Sequence, residues 1–243
     1  LIDGSALLIN IQEVYAQDAS RVLVPLICGG LYVAGMRISL YIYSTIGLSL
    51  TQPIKSSISV LLGTTIAAVV GGVPEGYPIG LIYFASLILI AAIFFTMVAG
   101  RIRVQGQETA AIKSTLQFSL RDMWLAIGLA VLTSLFGLAY TFSLSYSLQS
   151  ITQPNGLAVL PYMSLLSTGA FFGSLLTSGT VLTWRKQWNQ IVSAPLSIHK
   201  FGILSGLFHY GGNIIHTYAS AFLSTVVTFP LGLTSGLWTQ FWG

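Results

Sequence analysis

Charged side chains are scarce in this sequence. Of its 243 residues, 7% are Asp, Glu, Lys or Arg and 54% are hydrophobic, and the mean hydropathy is +0.81. A water-soluble domain carries about a quarter charged residues, because its surface must be hydrated. A chain of this composition cannot cover a water-facing surface. We therefore expect an integral membrane protein whose length is used by membrane spans.

Cysteine and catalytic constellations are equally sparse. Cys28 is the single cysteine, so no intrachain disulfide can form. The six carboxylates fall outside the predicted bilayer core, and the sequence contains no HExxH, GxSxG or P-loop motif. These absences argue against an intramembrane enzyme, and we expect no metal and no cofactor. The small net charge of +4 is interpreted as topology, so nucleic acid is not an expected partner.

Seven apolar runs, named spans A to G here, approach the roughly 20 residues that cross the hydrocarbon core. Runs this long predict helices, because the strands of a membrane barrel alternate over about ten residues. Residues 1–20 are polar and predict an extracellular loop with a short amphipathic segment. The predicted spans are A, 22–47; B, 51–72; C, 77–100; D, 122–147; E, 157–183; F, 200–222; and G, from 224 to the end.

Basic residues determine the expected orientation of the spans. Seven lie in or beside the loops 101–121 and 184–199, against only Arg21 on the opposite side. Loops rich in Lys and Arg remain in the cytoplasm, so we expect both loops to be cytoplasmic in a plasma membrane or an inner membrane. Span A then runs inward and span F outward. The seven residues are Arg101, Arg103, Lys113, Arg121, Arg185, Lys186 and Lys200.

Two stretches of the sequence resemble each other at an offset of 177 residues. The matches join spans A and B to spans F and G, and the charge pattern directs A and F oppositely, so the repeat is predicted to be inverted. Inverted repeats are typical of secondary transporters, in which two halves exchange conformations around a central site. The matched pairs are Gly29/Gly206, Gly35/Gly212, Ile38/Ile215, Tyr41/Tyr218 and Pro53/Pro230.

Span F carries the most polar surface at mid-depth. His209, Asn213 and His216 are separated by four and three residues, so they share one helical face. A polar stripe in an apolar helix requires interhelical partners or a water-filled cavity. We expect the stripe to line a solute site, and interhelical hydrogen bonding is the alternative. Neutral histidine also titrates near neutral pH.

Three further residues are weaker candidates for the same site. Arg37 is the only charge well inside a predicted span, and it either faces a cavity or snorkels toward the interface. Gln52, next to Pro53, either lines a helix break or belongs to a tight turn, and we favour the turn. Trp238 either stacks on a planar ligand or packs against the core. Lys55 lies near the cytoplasmic end of span B, where snorkelling explains it.

Glycine pairs at GxxxG spacing predict close packing between helices. This signal is common in membrane proteins and carries no information about a solute. The three pairs are Gly169/Gly173, Gly202/Gly206 and Gly232/Gly236.

Each half of the chain contains short motifs of its own. The first half contains Gly29-Gly30, Gly47-Leu48-Ser49-Leu50-Thr51, Ser57-Ile58-Ser59-Val60 and Gly63-Thr64-Thr65. The second half contains Gly206, Gly212-Asn213, Phe229-Pro230-Leu231 and Trp238. These motifs resemble the ureide permeases of the drug/metabolite transporter superfamily, to which related sugar porters also belong.

The resemblance implies an all-α bundle of ten spans in two inverted halves. Spans A to G would be spans two to eight, so we expect residues 1–243 to be a fragment of one transporter domain. Its first-half spans would lie in 21–147 and its second-half spans in 148–243.

The resemblance also implies a function: secondary active transport of a small, polar, neutral solute by proton symport and alternating access. The solute would be a ureide such as allantoin or a nucleobase such as uracil, which neutral donors and acceptors suit. A sugar porter is one alternative. A non-transporting membrane receptor or assembly subunit is the other, and it would bury the polar face of span F. The expected partners are the solute, the lipid bilayer and protons, and a homodimer is left open.

Overall fold

The computed structural model describes residues 4–46, 48–107 and 120–234. Every named element within these ranges is helical, as the unbroken apolar runs predict. Two of the helices continue into wider π-helical turns, Ala67–Gly71 after α3 and Leu175–Gly179 after α6. The α-helices are α1 Gly4–Gln17, α2 Ala19–Ile46, α3 Leu48–Ile66, α4 Ile79–Gln107, α5 Leu120–Ser147, α6 Val159–Ser174, α7 Thr180–Trp184, α8 Trp188–Val192, α9 Leu196–Leu223 and α10 Thr225–Leu233.

Most helix bounds lie within a few residues of the predicted spans, and two regions differ. Residues 4–17, expected as a loop with a short amphipathic segment, form the regular helix α1. The buried Val14 packs in a cluster with α2, α5 and α6, and this tertiary contact supports a helix that composition alone does not indicate. The helix α4 continues to Gln107, so its backbone runs through the start of the predicted 101–121 loop.

Three helices in the described ranges are long and apolar enough to cross a membrane: Ala19–Tyr43, Gly128–Ser147 and Val159–Trp184. Lys55–Gly71 and Ile79–Phe95 are shorter apolar helices. Seven membrane spans were predicted from the sequence, and three of these regions meet the criteria of length and hydropathy within the described ranges. The helix α9 is as long as α2, at 28 residues, but its polar stripe lowers its hydropathy.

Glycines bring α2 and α6 into close contact. A Cβ added to Gly169 would overlap the carbonyl oxygen of Leu26, and a Cβ added to Gly173 would overlap the backbone of Gly30. The Gly169/Gly173 pair therefore packs as its spacing predicts. A Cβ on Gly202 or Gly206 would meet nothing within 4 Å, so that pair brings no helix close within the described part of the chain. Gly236 lies outside it.

An apolar core closes one end of the bundle. It joins α1 and the start of α2 to the end of α5 and the start of α6. Its buried residues are Val14, Val22, Leu144, Leu148, Leu157, Val159, Tyr162, Met163 and Leu166.

Polar contacts extend this closed end to α3 and α9. Arg21, at the start of α2, donates from Nη2 to Oε1 of Gln153 at 3.0 Å, and Gln153 donates from Nε2 to the carbonyl of Val70 at 3.1 Å. Ser224, which follows α9, donates from Oγ to the carbonyl of Gly72 at 3.4 Å. The start of α2 and the end of α9 therefore lie at the same end of the bundle, and the two helices run in opposite directions.

Candidate functional site

A cavity of about 560 Å³ lies between α2, α3, α5, α9 and α10. This volume falls within the roughly 300–1,000 Å³ of typical small-molecule sites. Four of the six predicted site residues line it: His209, Asn213 and His216 on α9, and Gln52 on α3. The polar face of α9 thus borders open space.

The other two predicted site residues are not in the cavity wall. Arg37 donates from Nη1 to Oγ of Ser178 at 2.7 Å, which ties α2 to the π-helical turn after α6. Trp238 lies outside the described residues. Arg37 therefore contacts a neighbouring helix, and its predicted role at the site has no geometric support.

His216 holds three helices together at the edge of the cavity. Its Nε2 lies 3.3 Å from the carbonyl oxygen of Thr228 on α10, and its Nδ1 lies 3.1 Å from the hydroxyl of Tyr140 on α5. A carbonyl only accepts, so Nε2 carries the proton in the neutral ring and Nδ1 accepts from Tyr140. The two interpretations of the polar stripe are therefore combined in His216, which both lines the cavity and bonds neighbouring helices.

Aromatic rings form one wall of the cavity. Tyr32 and His209 stack with a centroid separation of 6.4 Å and an interplanar angle of 13°. Tyr32 lies 5.8 Å from Tyr140, and Tyr140 lies 5.9 Å from His216. This row of rings offers apolar faces beside polar edges, a surface suited to a planar solute.

A hydrogen-bonded network on α2 and α3 forms another part of the wall. Lys55 donates from Nζ to Oγ of Ser39 at 2.5 Å and to the hydroxyl of Tyr43 at 3.4 Å. Tyr43 donates in turn to Oε1 of Gln52 at 2.8 Å, and Nε2 of Gln52 lies 3.4 Å from Oγ of Ser56. Every group around the ammonium in this network is neutral.

Lys55 is the one charged residue among the cavity residues that were not predicted from the sequence. Snorkelling explained its charge, but Nζ bonds to cavity-lining residues of α2. A detectable signal was present: Gln52, Lys55, Ser56 and Ser59 follow one another at spacings of three, one and three, so they share a helical face. This polar face of α3 lines the same cavity as the polar face of α9.

Residues separated by 177 positions line the same cavity from two sides. Adding 177 to the bounds of α2, 19 and 46, gives 196 and 223, which are the bounds of α9. Seven pairs of lining residues obey this offset, and one pair, Tyr32 and His209, stacks directly. The pairs are Tyr32/His209, Gly35/Gly212, Met36/Asn213, Ser39/His216, Gln52/Phe229, Lys55/Gly232 and Ser56/Leu233.

A second polar cluster lies at the closed end, outside the cavity. Asp18 accepts hydrogen bonds from the hydroxyl and amide of Ser20 at 2.5 and 3.0 Å and from the Tyr146 hydroxyl at 3.2 Å. Arg21 lies 3.5 Å from its carboxylate. The pKa of Asp18 is lowered from its usual value of 3.8, chiefly because its carboxylate accepts a hydrogen bond from the Ser20 hydroxyl. The contacts with Tyr146 and Arg21 lower this pKa further. The cluster therefore remains charged at neutral pH and bonds α2 to α5.

Comparisons of the chain with protein-family models, curated proteins and solved structures found no match. The function of the cavity is therefore argued from its own residues and geometry.

Proposed function

We propose that the protein is a secondary transporter that binds a small polar solute in the cavity and moves it by alternating access. One observation carries this proposal: seven pairs of residues at a constant offset of 177 line a single cavity. Transporters with inverted repeats hold their solute at the interface of the two repeats, near the bilayer midplane. The lining residues of α2 and α9 come from the middle and the adjoining turns of each helix, which agrees with that location.

The directions of the helices support an inverted relation between the two copies. The start of α2 and the end of α9 share the closed end through Arg21, Gln153 and Ser224. Two copies of opposite direction can exchange conformations, so that each in turn opens the cavity to its own side. In this proposal the apolar core and the Asp18 cluster form the closed gate, and both must separate when the cavity opens to that end.

The chemistry of the wall supports a solute with amide or hydroxyl groups and a flat ring. Asn213 and Gln52 offer amides, and the row of rings around Tyr32 offers a stacking surface. The resemblance to ureide permeases leads to the same kind of solute, so uracil and allantoin are the first to be tested. A receptor or assembly subunit would instead bury the polar face of α9 against its neighbours.

Proton coupling, also part of the proposal, fits the contacts of His216. A proton added at Nδ1 turns this acceptor into a donor, so the Tyr140 hydroxyl must rotate and accept instead. Protonation would in this way change the contact between α5 and α9. Coupling between proton and solute requires such a link between a titrating group and a helix interface.

The test is uptake of labelled uracil and allantoin by protein in proteoliposomes, with and without an inward proton gradient. We expect uptake that the gradient stimulates. Replacing Asn213 by Ala should lower it about tenfold or more, because a hydrogen bond to the solute is lost. The matched control is Gly202→Ala on the same helix, where an added Cβ meets nothing within 4 Å.

Uptake that Asn213→Ala leaves unchanged would remove this site from the proposal. If folded wild-type protein takes up neither solute, nor a panel of hexoses and carboxylate-bearing nucleobases, the transport function is rejected. Inhibition by hexoses rather than by nucleobases would instead identify a sugar porter.

A further inference from the structure

We infer that Lys55 is an anion-binding residue and that the solute of this cavity carries a carboxylate beside its polar ring or amide. The inference rests on the proposed function, because it takes the cavity as a solute site and specifies the chemical class of the solute. It replaces the neutral solute that the sequence suggests with an anionic one.

The geometry of Lys55 leaves one donor for a ligand. An ammonium has three N–H donors. One is used by Ser39 and a second by the longer bond to Tyr43. Ser39 donates its own proton to the carbonyl of Gly35 at 2.8 Å, so its oxygen is oriented to accept from Lys55. The network fixes the ammonium at the cavity wall, as expected of a preorganised binding group.

No counter-charge accompanies this ammonium within residues 4–46, 48–107 and 120–234. The titratable side chains that line the cavity with it are Tyr32, Tyr43, Tyr140, His209 and His216, and no carboxylate lies among them. The other wall residues are apolar, glycine, hydroxyl or amide.

Lys55 lies in the second turn of α3, which begins at Leu48. A partly buried cation without a counter-charge is costly, and cations inside membrane spans mark ion or substrate pathways. A bound carboxylate would supply the missing charge.

The two halves of the cavity fit different parts of such a solute. The position related to Lys55 by the 177-residue offset is Gly232, so the second half supplies no cation there. Across the cavity, Asn213 supplies an amide. A planar ring could stack on the Tyr32 wall, with its carboxylate at Lys55 and its amide groups at Asn213.

The test uses pairs of compounds of which one carries a carboxylate and the other is neutral. Orotate is uracil with an added carboxylate. N-carbamoylglycine is a ureide that carries a carboxylate, and its neutral partner is the corresponding amide. Calorimetric titration of the purified protein in detergent measures the affinity for each. We expect wild-type protein to bind each anion roughly tenfold to a hundredfold more tightly than its neutral partner, the usual strength of a hydrogen bond to a charged group.

Lys55→Gln should abolish this preference, so that orotate and uracil bind the variant with affinities within about twofold of each other. Lys55→Arg keeps the positive charge and should retain part of the preference for the anion. It is the variant to measure if Lys55→Gln folds poorly. The matched control is Lys200→Gln, which removes the same charge from an exposed position on α9 and should leave the preference unchanged.

A preference that survives in Lys55→Gln overturns the inference, as does failure of folded wild-type protein to bind either anion at millimolar concentration. Uptake of uracil with no preference for orotate overturns it while the transport proposal stands. Lys55-dependent binding of orotate without uptake supports anion binding and rejects transport.

Discussion

At the scale of single residues, Ser224 carries the most unusual backbone in the described ranges. It joins α9 to α10 with φ 73° and ψ 148°, a region that is essentially restricted to glycine. The residue 177 positions earlier in the sequence is Gly47, although it lies outside the described residues. A tight junction between two nearly continuous helices explains why this conformation is imposed on serine.

Replacing Ser224 by Gly should therefore stabilise the protein by about 1 kcal/mol, because relief of the strain exceeds the extra chain entropy of glycine. SDS-induced unfolding in mixed micelles measures the change. Ser224→Ala is the control, since it also removes the hydroxyl that contacts Gly72 but keeps the Cβ. If the glycine variant is no more stable than the alanine variant, the backbone at this junction is not strained.

Lys55 and Arg37 show why single residues resist prediction from sequence. Both are isolated cations in apolar runs, and snorkelling is possible for each. Only the packing of α2 against α3 decides that Lys55 meets Ser39 and Tyr43, whereas Arg37 reaches Ser178 on a different helix. The separation of these residues along the sequence indicates neither contact.

At the scale of helices, glycine controls how closely two backbones approach. The α2–α6 contact depends on Gly169 and Gly173 facing Leu26 and Gly30. The Gly202/Gly206 pair has identical spacing on α9 and meets no neighbour within 4 Å. The motif therefore predicts the ability to pack, and the surrounding helices determine whether it is used.

Gly169→Ala should destabilise the protein by about 1–3 kcal/mol, because the new methyl group would overlap the carbonyl of Leu26. Gly202→Ala should be neutral or stabilise by up to about 1 kcal/mol, the ordinary gain from alanine in a helix. Both variants are compared by SDS-induced unfolding. Equal effects at the two positions would mean that α2 and α6 are not in close contact.

The helices and the shared polar face of α9 were the features that the sequence predicted most directly. Apolar runs of span length predict the helices, and the spacing of His209, Asn213 and His216 predicts their shared face. The helix α1 was missed because its stability comes from burying Val14 against distant elements. A local pattern cannot report a contact made by residues more than a hundred positions away.

At the scale of the whole molecule, the cavity residues paired by the 177-residue offset differ in chemistry although they match in position. The first half contributes an amine and a hydroxyl through Lys55 and Ser39, and the second contributes an amide and an imidazole through Asn213 and His216. In the proposed transporter these features would have separate roles. The matched helices would allow exchange between conformations, and the unlike side chains would orient the solute.

The fold also makes a prediction about sidedness. Glu75 follows α3 at the closed end, where Gly71 approaches Ser145 and Gly72 approaches Thr152. Arg185 follows α7, which continues the chain from α6 to the opposite end. The excess of basic residues at the Arg185 end predicts that it faces the cytoplasm. Both side chains are exposed, so each position can be labelled.

In a Cys28→Ala background, Glu75→Cys should react with a membrane-impermeant maleimide in intact cells, and Arg185→Cys only after the membrane is permeabilised. Reaction of both from one side would contradict the crossing of the membrane between them. Reaction of Arg185→Cys in intact cells, and of Glu75→Cys only after permeabilisation, would support a membrane crossing between the two positions but reject the predicted orientation. Since α2 and α9 run oppositely, either successful order requires that they cross in opposite directions, the condition on which exchange between the two halves depends.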